Sequence, residues 1–379
     1  MNDLISLIKK RLDWLEEEGL TRKPVDRSDL IDFSSNDYLG VARNTEVLVQ
    51  IEDNCKAHQK SIGSTGSRLL TGHSSLISAF EKQVSGFHQA PAALLFNSGY
   101  DANLGLISSL GQKNVTIIYD ELVHASIHDG IKLSKARSVS FSHNDLNDLV
   151  SKLTETAGVK IVAVESIYSM HGDEAPLKRI VEICEKQGAT LIVDEAHATG
   201  LYGKKGQGRV VEQGLQDRVP IRLITFGKAL GCHGAVVLSD SITRKFLVNS
   251  ARSLIYTTAL PDHSIIAIKT VYDMMSCGAF NNHYTSNLVN LFKESMKSVQ
   301  GFDPAVSDSQ IQAVSIPGNK TVLDVSFKLM ELGFDVRPIR FPSVPRGSER
   351  LRISIHEFNT EKEISGLAIA LKNILGNRL

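Results

Sequence analysis

The stretches TLIVDEAH (residues 190–197) and IRLITFGKALG (residues 221–231) decide how this chain folds. Each begins with an apolar run of strand length and ends in polar residues, Asp194 and His197 in the first and Lys228 in the second. Short apolar runs of this kind are typical of buried strands. Because ligand sites of open parallel sheets form at the carboxyl ends of strands, these side chains are candidates for one site.

The residue types at these strand ends match the needs of pyridoxal phosphate. This cofactor requires a lysine for a Schiff base, a carboxylate for its pyridine nitrogen and donors for its phosphate, which Lys228, Asp194 and Thr225 can supply. Taken alone, a lysine in a glycine-flanked loop is ordinarily a solvated charge, and an aspartate after a strand is ordinarily a turn or cap residue. The combination on consecutive strands favours the cofactor site.

The rest of the chain predicts an α/β fold with a mostly parallel sheet. Short apolar runs alternate with helix-length segments, at residues 92–96, 115–119, 160–164, 190–193, 221–226 and 235–238. This alternation is typical of strands joined by crossover helices. The last run follows Lys228 too closely for a helical crossover, so we expect it to pair antiparallel.

Three segments are predicted along the chain. Residues 1–40 form an N-terminal helix and arm, in which apolar residues at helical spacing predict an amphipathic helix over 3–18 that lies on another surface. Residues 41–275 form a large cofactor-binding domain. The alternation of predicted strands and helices ends near Met274, and residues 276–379 are expected to form a smaller α+β domain.

Composition excludes several classes of protein. The 379 residues carry 42 Lys and Arg against 42 Asp and Glu, so no global charge recruits nucleic acid or an anionic membrane. The four cysteines have no metal-type or disulfide-type spacing, and there is neither a signal peptide nor an apolar run of membrane-spanning length. We therefore expect a cytoplasmic protein.

Competing motifs are absent or incomplete. The chain has neither GxGxxG nor GxxxxGK[ST], which removes the specific evidence for dinucleotide or nucleoside triphosphate binding. His124 and His128 are four residues apart and can share a helix face as zinc ligands, but no third ligand is evident nearby. The sequence therefore predicts no metal site.

Motifs across nearly the whole chain resemble those of the α-oxoamine synthases, a family of pyridoxal phosphate enzymes. They are SSNDYLG (34–40), GSTGSRLLTGH (63–73), FNSGYDAN (96–103), FSHNDLNDL (141–149), SIYSMHGDEAPL (166–177), VDEAHATGLYG (193–203), TFGKALG (225–231), IYTTALP (255–261) and RFPSVPRGSERLRIS (340–354). The resemblance implies the aspartate-aminotransferase fold, with a homodimer whose active sites lie at the subunit interface. It also implies condensation of an amino acid with an acyl-CoA thioester and loss of carbon dioxide.

The resemblance assigns roles to residues that match the family motifs. Lys228 corresponds to the Schiff-base lysine, Asp194 to the pyridine partner and His197 to the donor to the cofactor's phenolic oxygen. The other implied positions are His124 for ring stacking, Gly99, Tyr100 and Thr225 for the phosphate, Thr257 and Thr258 for the partner's phosphate, Ser169 near the cofactor oxygen, and Arg352 with Asn36 for the amino-acid carboxylate. Arg22 and Ser343 are candidates for an acyl carboxylate, with Lys23 beside them.

Within the family, FSHND, RFPSVP and a length without extensions favour L-alanine and pimeloyl-CoA as substrates. The alternative is another branch, which joins glycine or serine to a different acyl-CoA. A plain aminotransferase and a non-catalytic scaffold also compete; His197 argues against the first, and the set Lys228, Asp194, His197 and Arg352 against the second. The family usually has aspartate where this chain has His171, and proline where it has Asp262.

Overall fold

The structure is a computed structural model that describes residues 3–26, 29–280 and 283–376. The chain divides into two compact units. The larger comprises Asn36–Ser169 and Glu174–Asn282, and the smaller comprises Met1–Ser35, Met170–Asp173 and His283–Leu379. The predicted domain division at 1–40, 41–275 and 276–379 stays a prediction.

The helices and strands have the following bounds. The helices are α1 (Asp3–Glu17), α2 (Thr45–His58), α3 (Ser75–Phe87), α4 (Gly99–Leu110), α5 (Ala125–Leu133), α6 (Leu146–Glu155), α7 (Leu177–Gln187), α8 (Arg209–Glu212), α9 (Ser241–Ser250), α10 (Arg252–Ile255), α11 (Asp262–Ser276), α12 (His283–Met296), α13 (Asn319–Glu331) and α14 (Glu361–Gly376). The strands are β1 (Ile31–Asp32), β2 (Ala92–Phe96), β3 (Val115–Asp120), β4 (Arg137–Phe141), β5 (Val159–Glu165), β6 (Ala189–Asp194), β7 (Ile221–Thr225), β8 (Ala235–Ser239), β9 (Ile311–Ser315), β10 (Phe334–Asp335), β11 (Arg337–Ile339) and β12 (Arg350–Ser354).

The larger unit contains a sheet in the order β2-β8-β7-β6-β5-β3-β4. Strands β3 to β7 pair parallel, whereas β8 pairs antiparallel with β7 and β2. The predicted mostly parallel α/β sheet and the antiparallel last strand are therefore confirmed. Strand β4 was not predicted, because its sequence RSVSF is polar and its residues at the sheet edge are mostly exposed.

Both faces of this sheet are covered, as the buried runs require. In β5 and β6, alternate side chains enter two different cores. Ile161, Ala163 and Ile192 pack with Ala102 and Leu106 of α4 and Ile127 of α5, whereas Val162, Val164, Leu191 and Val193 pack with Leu177, Ile180 and Cys184 of α7. Glu165 is two residues after Ala163 in β5, and Asp194 is two residues after Ile192 in β6. Because alternate residues of a strand point to the same face, both carboxyl side chains point to the side of α4 and α5.

The smaller unit holds an antiparallel sheet in the order β11-β12-β9 and a parallel pair of β1 with β10. In β12, Arg350 and Arg352 flank the fully buried Leu351, so the two arginines share one face, as predicted. Arg350 is buried, with 9% of its surface exposed, and Arg352 is partly exposed.

Helix α1 forms where the sequence predicts it, but none of its residues is buried. Leu4 and Leu7 are 63% and 65% exposed, so the expected contact of its apolar face with another surface is not made by the described residues. No helix within residues 3–26, 29–280 and 283–376 is both long enough and apolar enough to cross a membrane.

Candidate active site

A cavity of about 230 Å³ opens at the carboxyl edge of the large sheet. Strands β5, β6 and β7 end there in Glu165, Asp194 and Thr225, and Lys228 follows β7 within three residues. These side chains come from distant parts of the sequence because neighbouring parallel strands place their carboxyl ends at one edge. The lining also includes Asn36, Gly99, Tyr100, Asn103, His124 and Ser126.

Asp194 is held by a network of hydrogen bonds on the side of α4. Its carboxylate accepts bonds from Asn103 Nδ2 at 2.8 Å and from the backbone N–H of Ala196 at 2.9 Å. Asn103 Nδ2 also donates to Ser126 Oγ, which lies 2.7 Å from His124 Nδ1. With 5% of its surface exposed, Asp194 is a fixed buried anion suited to a cationic ring nitrogen.

Lys228 lies in the turn between β7 and β8. Its Nζ is 2.7 Å from His197 Nε2, and His197 Nδ1 is 2.8 Å from the Tyr38 hydroxyl. The turn requires Gly231, whose φ is 60° and where a Cβ would lie 2.4 Å from the backbone nitrogen of Ala42. The lysine amine therefore enters the site beside an imidazole that can pass a proton.

An anion cradle lies where α4 begins. Ser98 caps the helix by accepting from the N–H of Asp101, and a Cβ at Gly99 would come within 2.5 Å of Thr225 Cγ2, so glycine leaves the needed space. The Thr225 Oγ1 is buried and has no hydrogen-bond partner among the described residues. Helix N-termini and free hydroxyls bind phosphate, which fits the predicted roles of Gly99 and Thr225. Tyr100 is exposed and donates its hydroxyl to Asp129.

His124 is exposed and lines the same cavity, where its ring is accessible for stacking. His128, its partner in the zinc alternative, packs edge-on against Tyr119 at 5.3 Å between ring centroids. Among the residues that the structure describes, there is no group of three or more His, Cys, Asp or Glu side chains that could hold a metal ion.

Thr257 and Thr258 lie close to the strand end that precedes α4. Asn97 Nδ2 donates to Thr257 Oγ1 at 3.2 Å and to the backbone carbonyl of Thr258 at 2.8 Å. Ser169 is partly buried in the loop after β5. The cofactor roles of these three residues stay predictions.

The remaining predicted residues, Arg352, Ser343 and Arg22, belong to the smaller unit. Arg352 donates from Nη1 to Ser354 Oγ at 3.0 Å, and Arg22 donates from Nη2 to Ser343 Oγ at 3.2 Å. The structure therefore joins the two candidates for the acyl carboxylate, although they are 321 residues apart in the sequence. His171 also belongs to this unit, and Asp262 is the first residue of α11.

Sequence reasoning missed four residues of this site: Tyr38, Asn103, Ser126 and Glu165. Tyr38 stands in SSNDYLG and Asn103 in FNSGYDAN, so the motifs that carry the family resemblance contain both residues. Glu165 is the last residue of β5, just as Asp194 is the last residue of β6. A carboxylate directly after an apolar run was therefore the signal in the sequence that could have identified Glu165. Burial raises the pKa of the Glu165 carboxyl to about 8, and the neighbouring charge of Asp194 adds to the rise.

Comparison with known proteins gives a consistent result. Residues 28–368 match the family model of class I and II aminotransferases. An 8-amino-7-oxononanoate synthase from Emericella nidulans is 37% identical over 391 residues, which cover 97% of this chain and 93% of the relative.

Solved structures are also similar. A serine palmitoyltransferase from S. paucimobilis, solved with bound PLP–myriocin, superposes with a TM-score of 0.87 and 28% identity, covering 97% of this chain and 96% of its own. An 8-amino-7-oxononanoate synthase from Francisella tularensis has a TM-score of 0.77 and 27% identity, covering 93% of this chain and 100% of its own.

The unpaired hydroxyl of Thr225 gives a test of the anion cradle. In Thr225→Val we expect the affinity for pyridoxal phosphate to fall about tenfold or more, because a hydrogen bond to a charged group contributes about 1.5 to 3 kcal/mol. The stability of the cofactor-free protein should not fall, since the hydroxyl has no partner among the described residues. Fluorescence titration and thermal unfolding measure the two quantities.

The matched control is Thr199→Val. Thr199 is also buried, but its Oγ1 donates to the carbonyl of Glu195 at 3.0 Å. This variant should lose about 1 kcal/mol of stability and keep its affinity for the cofactor. Unchanged affinity in Thr225→Val would contradict the assignment.

Proposed function

The chain belongs to the class I and II aminotransferase family, and from this premise we propose that it condenses L-alanine with pimeloyl-CoA. The products are 8-amino-7-oxononanoate, CoA and carbon dioxide, a step of biotin biosynthesis. The observation that carries the proposal is the placement of Lys228 and Asp194 around one cavity, in a chain that is 37% identical to a synthase of that name over nearly its whole length.

Pyridoxal phosphate is the cofactor of this acyltransferase, and the site fits it in three places. The buried Asp194 carboxylate suits the pyridine nitrogen, the unpaired Thr225 hydroxyl and the start of α4 suit the phosphate, and the Lys228 amine suits the aldehyde. When bound, pyridoxal phosphate supplies a carbonyl group for the nitrogen of the amino acid and a ring that withdraws electrons from its Cα.

The chain's own residues then handle protons and charge. We assign Lys228 Nζ as the base that removes the Cα proton of alanine, with His197 Nε2 at 2.7 Å to share that proton. Asp194 keeps a proton on the ring nitrogen through its opposite charge, and His124 offers a flat surface for stacking. The alanine Cα attacks the thioester carbonyl, CoA leaves as the thiolate, the carboxylate leaves as carbon dioxide, and Cα regains a proton.

Arg352 and Asn36 are our assignments for the carboxylate of the amino acid. A planar guanidinium binds a carboxylate through two parallel hydrogen bonds. Arg352 is the more exposed of the two arginines in β12, whereas Arg350 is buried and donates from Nε to the carbonyl of Ser348 at 2.9 Å. The accessible member of the pair is therefore the better ligand.

The acyl end of pimeloyl-CoA carries a carboxylate, and burying it unpaired is costly. Arg22 and Ser343 supply a cation and a hydroxyl that already contact each other. Arg340 lies near Arg22 and donates to the backbone carbonyls of Gly19 and Thr21. Burial lowers the pKa of the Arg340 guanidinium, and the positive charge of Arg22 lowers it further, so the two arginines together favour an anionic ligand.

We further propose a cytoplasmic homodimer with shared active sites. The four cysteines are free, which suits a reducing compartment. Thr257 and Thr258 are assigned to the partner's cofactor phosphate, so dissociation into monomers should weaken cofactor binding.

Other branches of the family remain the alternative function. Serine palmitoyltransferase is the specific competitor, because one such enzyme superposes with a TM-score of 0.87. A 2-amino-3-ketobutyrate CoA ligase, which uses glycine and acetyl-CoA, is the other. Lys228 and Asp194 serve all of them, so product analysis with alanine, glycine and serine distinguishes the branches.

Covalent labelling tests the cofactor lysine. Borohydride reduction of the yellow protein, followed by peptide mapping, should place the pyridoxyl group on Lys228. A label on Lys204 or Lys205, or on no lysine, would overturn the assignment. Lys228→Ala should retain part of its cofactor affinity through Asp194 and the phosphate cradle, yet lose turnover, because the same amine is the base.

The two arginines of β12 provide a matched pair for the carboxylate. Arg352→Leu should lower kcat/KM for the amino acid roughly 30-fold or more, because a charged partner of the substrate is lost. This factor corresponds to a loss of about 2 kcal/mol in transition-state stabilisation. Arg350→Leu should act mainly on thermal stability, because this side chain is buried. A larger loss of amino-acid kcat/KM in Arg350→Leu would reverse the assignment.

The acyl substrate is tested with a panel of thioesters. Alanine with pimeloyl-CoA should give the highest kcat/KM and yield 8-amino-7-oxononanoate by mass spectrometry. Replacing Arg22 and Lys23 together by Gln should raise KM for pimeloyl-CoA more than KM for an uncharged acyl-CoA of equal length. Highest kcat/KM with acetyl-CoA and glycine, or palmitoyl-CoA and serine, would refute the substrate proposal while leaving the family unchanged.

A further inference from the structure

We propose that Glu165 is a positioning residue of the cofactor cavity, held as a neutral acid beside Asp194 so that Asp194 is the single anion facing the ring nitrogen. This inference rests on the proposed cofactor site and adds a residue to it. Glu165 is the last residue of β5, next to the end of β6.

Strand register places the two carboxyl groups side by side. Glu165 is the Cα partner of Asp194 in the parallel pairing of β5 with β6. Partner residues in a parallel pair point to the same face of a sheet, about 4.8 Å apart at the backbone. Both carboxyl groups line the cavity, and both are buried, with 3% and 5% of their surfaces exposed. The negative charge of one buried carboxyl group disfavours ionisation of its neighbour.

The surrounding charges do not offset the effect of burial. Burial and the neighbouring charge of Asp194 raise the pKa of Glu165 more than the charge of Lys228, which faces it from the turn after β7 and is hydrogen-bonded to His197, lowers it. Asp120 of β3 faces it with a further negative charge, and it is itself paired with His143 Nδ1 at 2.9 Å. The backbone N–H of His124 also faces the Glu165 carboxyl.

Asp194 is the member of the pair with the better support for a negative charge. It accepts hydrogen bonds from Asn103 Nδ2 and from the N–H of Ala196. In contrast, Glu165 Oε1 is buried and has no hydrogen-bond partner among the described residues. When two neighbouring carboxyl groups share one charge, the charge settles on the group with more donors. The proton therefore belongs to Glu165.

The pKa of Glu165, raised from 4.5 to about 8, agrees with this arrangement and fixes the sign of its pH dependence. Between these values the folded protein binds a proton that the unfolded chain releases. Its contribution to stability is fully present below about pH 4.5 and is lost as the pH rises towards about 8. Replacement by Gln, which is neutral at every pH, removes that loss.

The experiment compares wild type with Glu165→Gln, and uses Glu195→Gln as the matched control. Glu195 is also fully buried, with a pKa raised to about 7, but it is not part of the cavity lining and accepts from the N–H of Val210. In cofactor-free protein, the Tm difference between Glu165→Gln and wild type should increase as the pH rises from about 4.5 to about 8. Glu195→Gln should show a similar trend.

The cofactor readout separates the two glutamates. Above about pH 8, ionised Glu165 adds a second negative charge to the cavity of the wild type. The Kd of the wild type for pyridoxal phosphate should therefore differ from the Kd of Glu165→Gln by about threefold or more. Wild type and Glu195→Gln should instead keep parallel Kd profiles. Parallel profiles for wild type and Glu165→Gln overturn the inference.

A second outcome also overturns it. If Glu165→Gln already weakens pyridoxal phosphate binding about tenfold below neutral pH, Glu165 is an ionised ligand and not a neutral acid. Failure of the proposed function looks different, since wild type would then bind no pyridoxal phosphate at any pH, while the Tm difference in cofactor-free protein would remain.

Discussion

The active site depends on one constraint, the common edge at which parallel strands end. Because β5, β6 and β7 run side by side in the same direction, their last residues form a row at one edge, in which Glu165 and Asp194 are register partners and Thr225 lies two residues beyond Leu223, the partner of Asp194. Backbone hydrogen bonds fix this row, so its spacing does not depend on side-chain contacts. The turn that carries Lys228, the capped start of α4 and the loop of His124 are all placed relative to it.

The hydrogen bonds around the row divide it into two parts. On one side, Asn103 and Ser126 connect the buried carboxylate of Asp194 to the exposed His124. On the other, Tyr38 and His197 lead to the amine of Lys228. A molecule with a cationic ring, an aldehyde and an anionic group can satisfy all of these at once, whereas a neutral ligand of the same size would leave Asp194 without a counter-charge.

Sequence patterns predicted the strands that are formed by apolar runs and the site residues that follow those runs. The central strands and the antiparallel β8 follow from short buried runs, and Lys228, Asp194 and His197 follow them directly. Strand β4 was missed because a polar edge strand has no apolar run. Tyr38 and Asn103 were missed because they act only through contacts that folding creates between distant segments. The pattern predicted that the apolar face of α1 lies on another surface, whereas the described residues leave this face exposed.

Buried polar groups without partners also have a consequence for how much of the protein a cell contains. Thr225 Oγ1 and Asn103 Oδ1 are buried without partners among the described residues, and each such group costs folding free energy. A ligand that occupies the cavity stabilises the folded chain by mass action. Chains made when vitamin B6 is scarce would spend more time unfolded and be degraded sooner. The steady-state amount of this protein should therefore follow the cofactor supply, even without any change in gene expression.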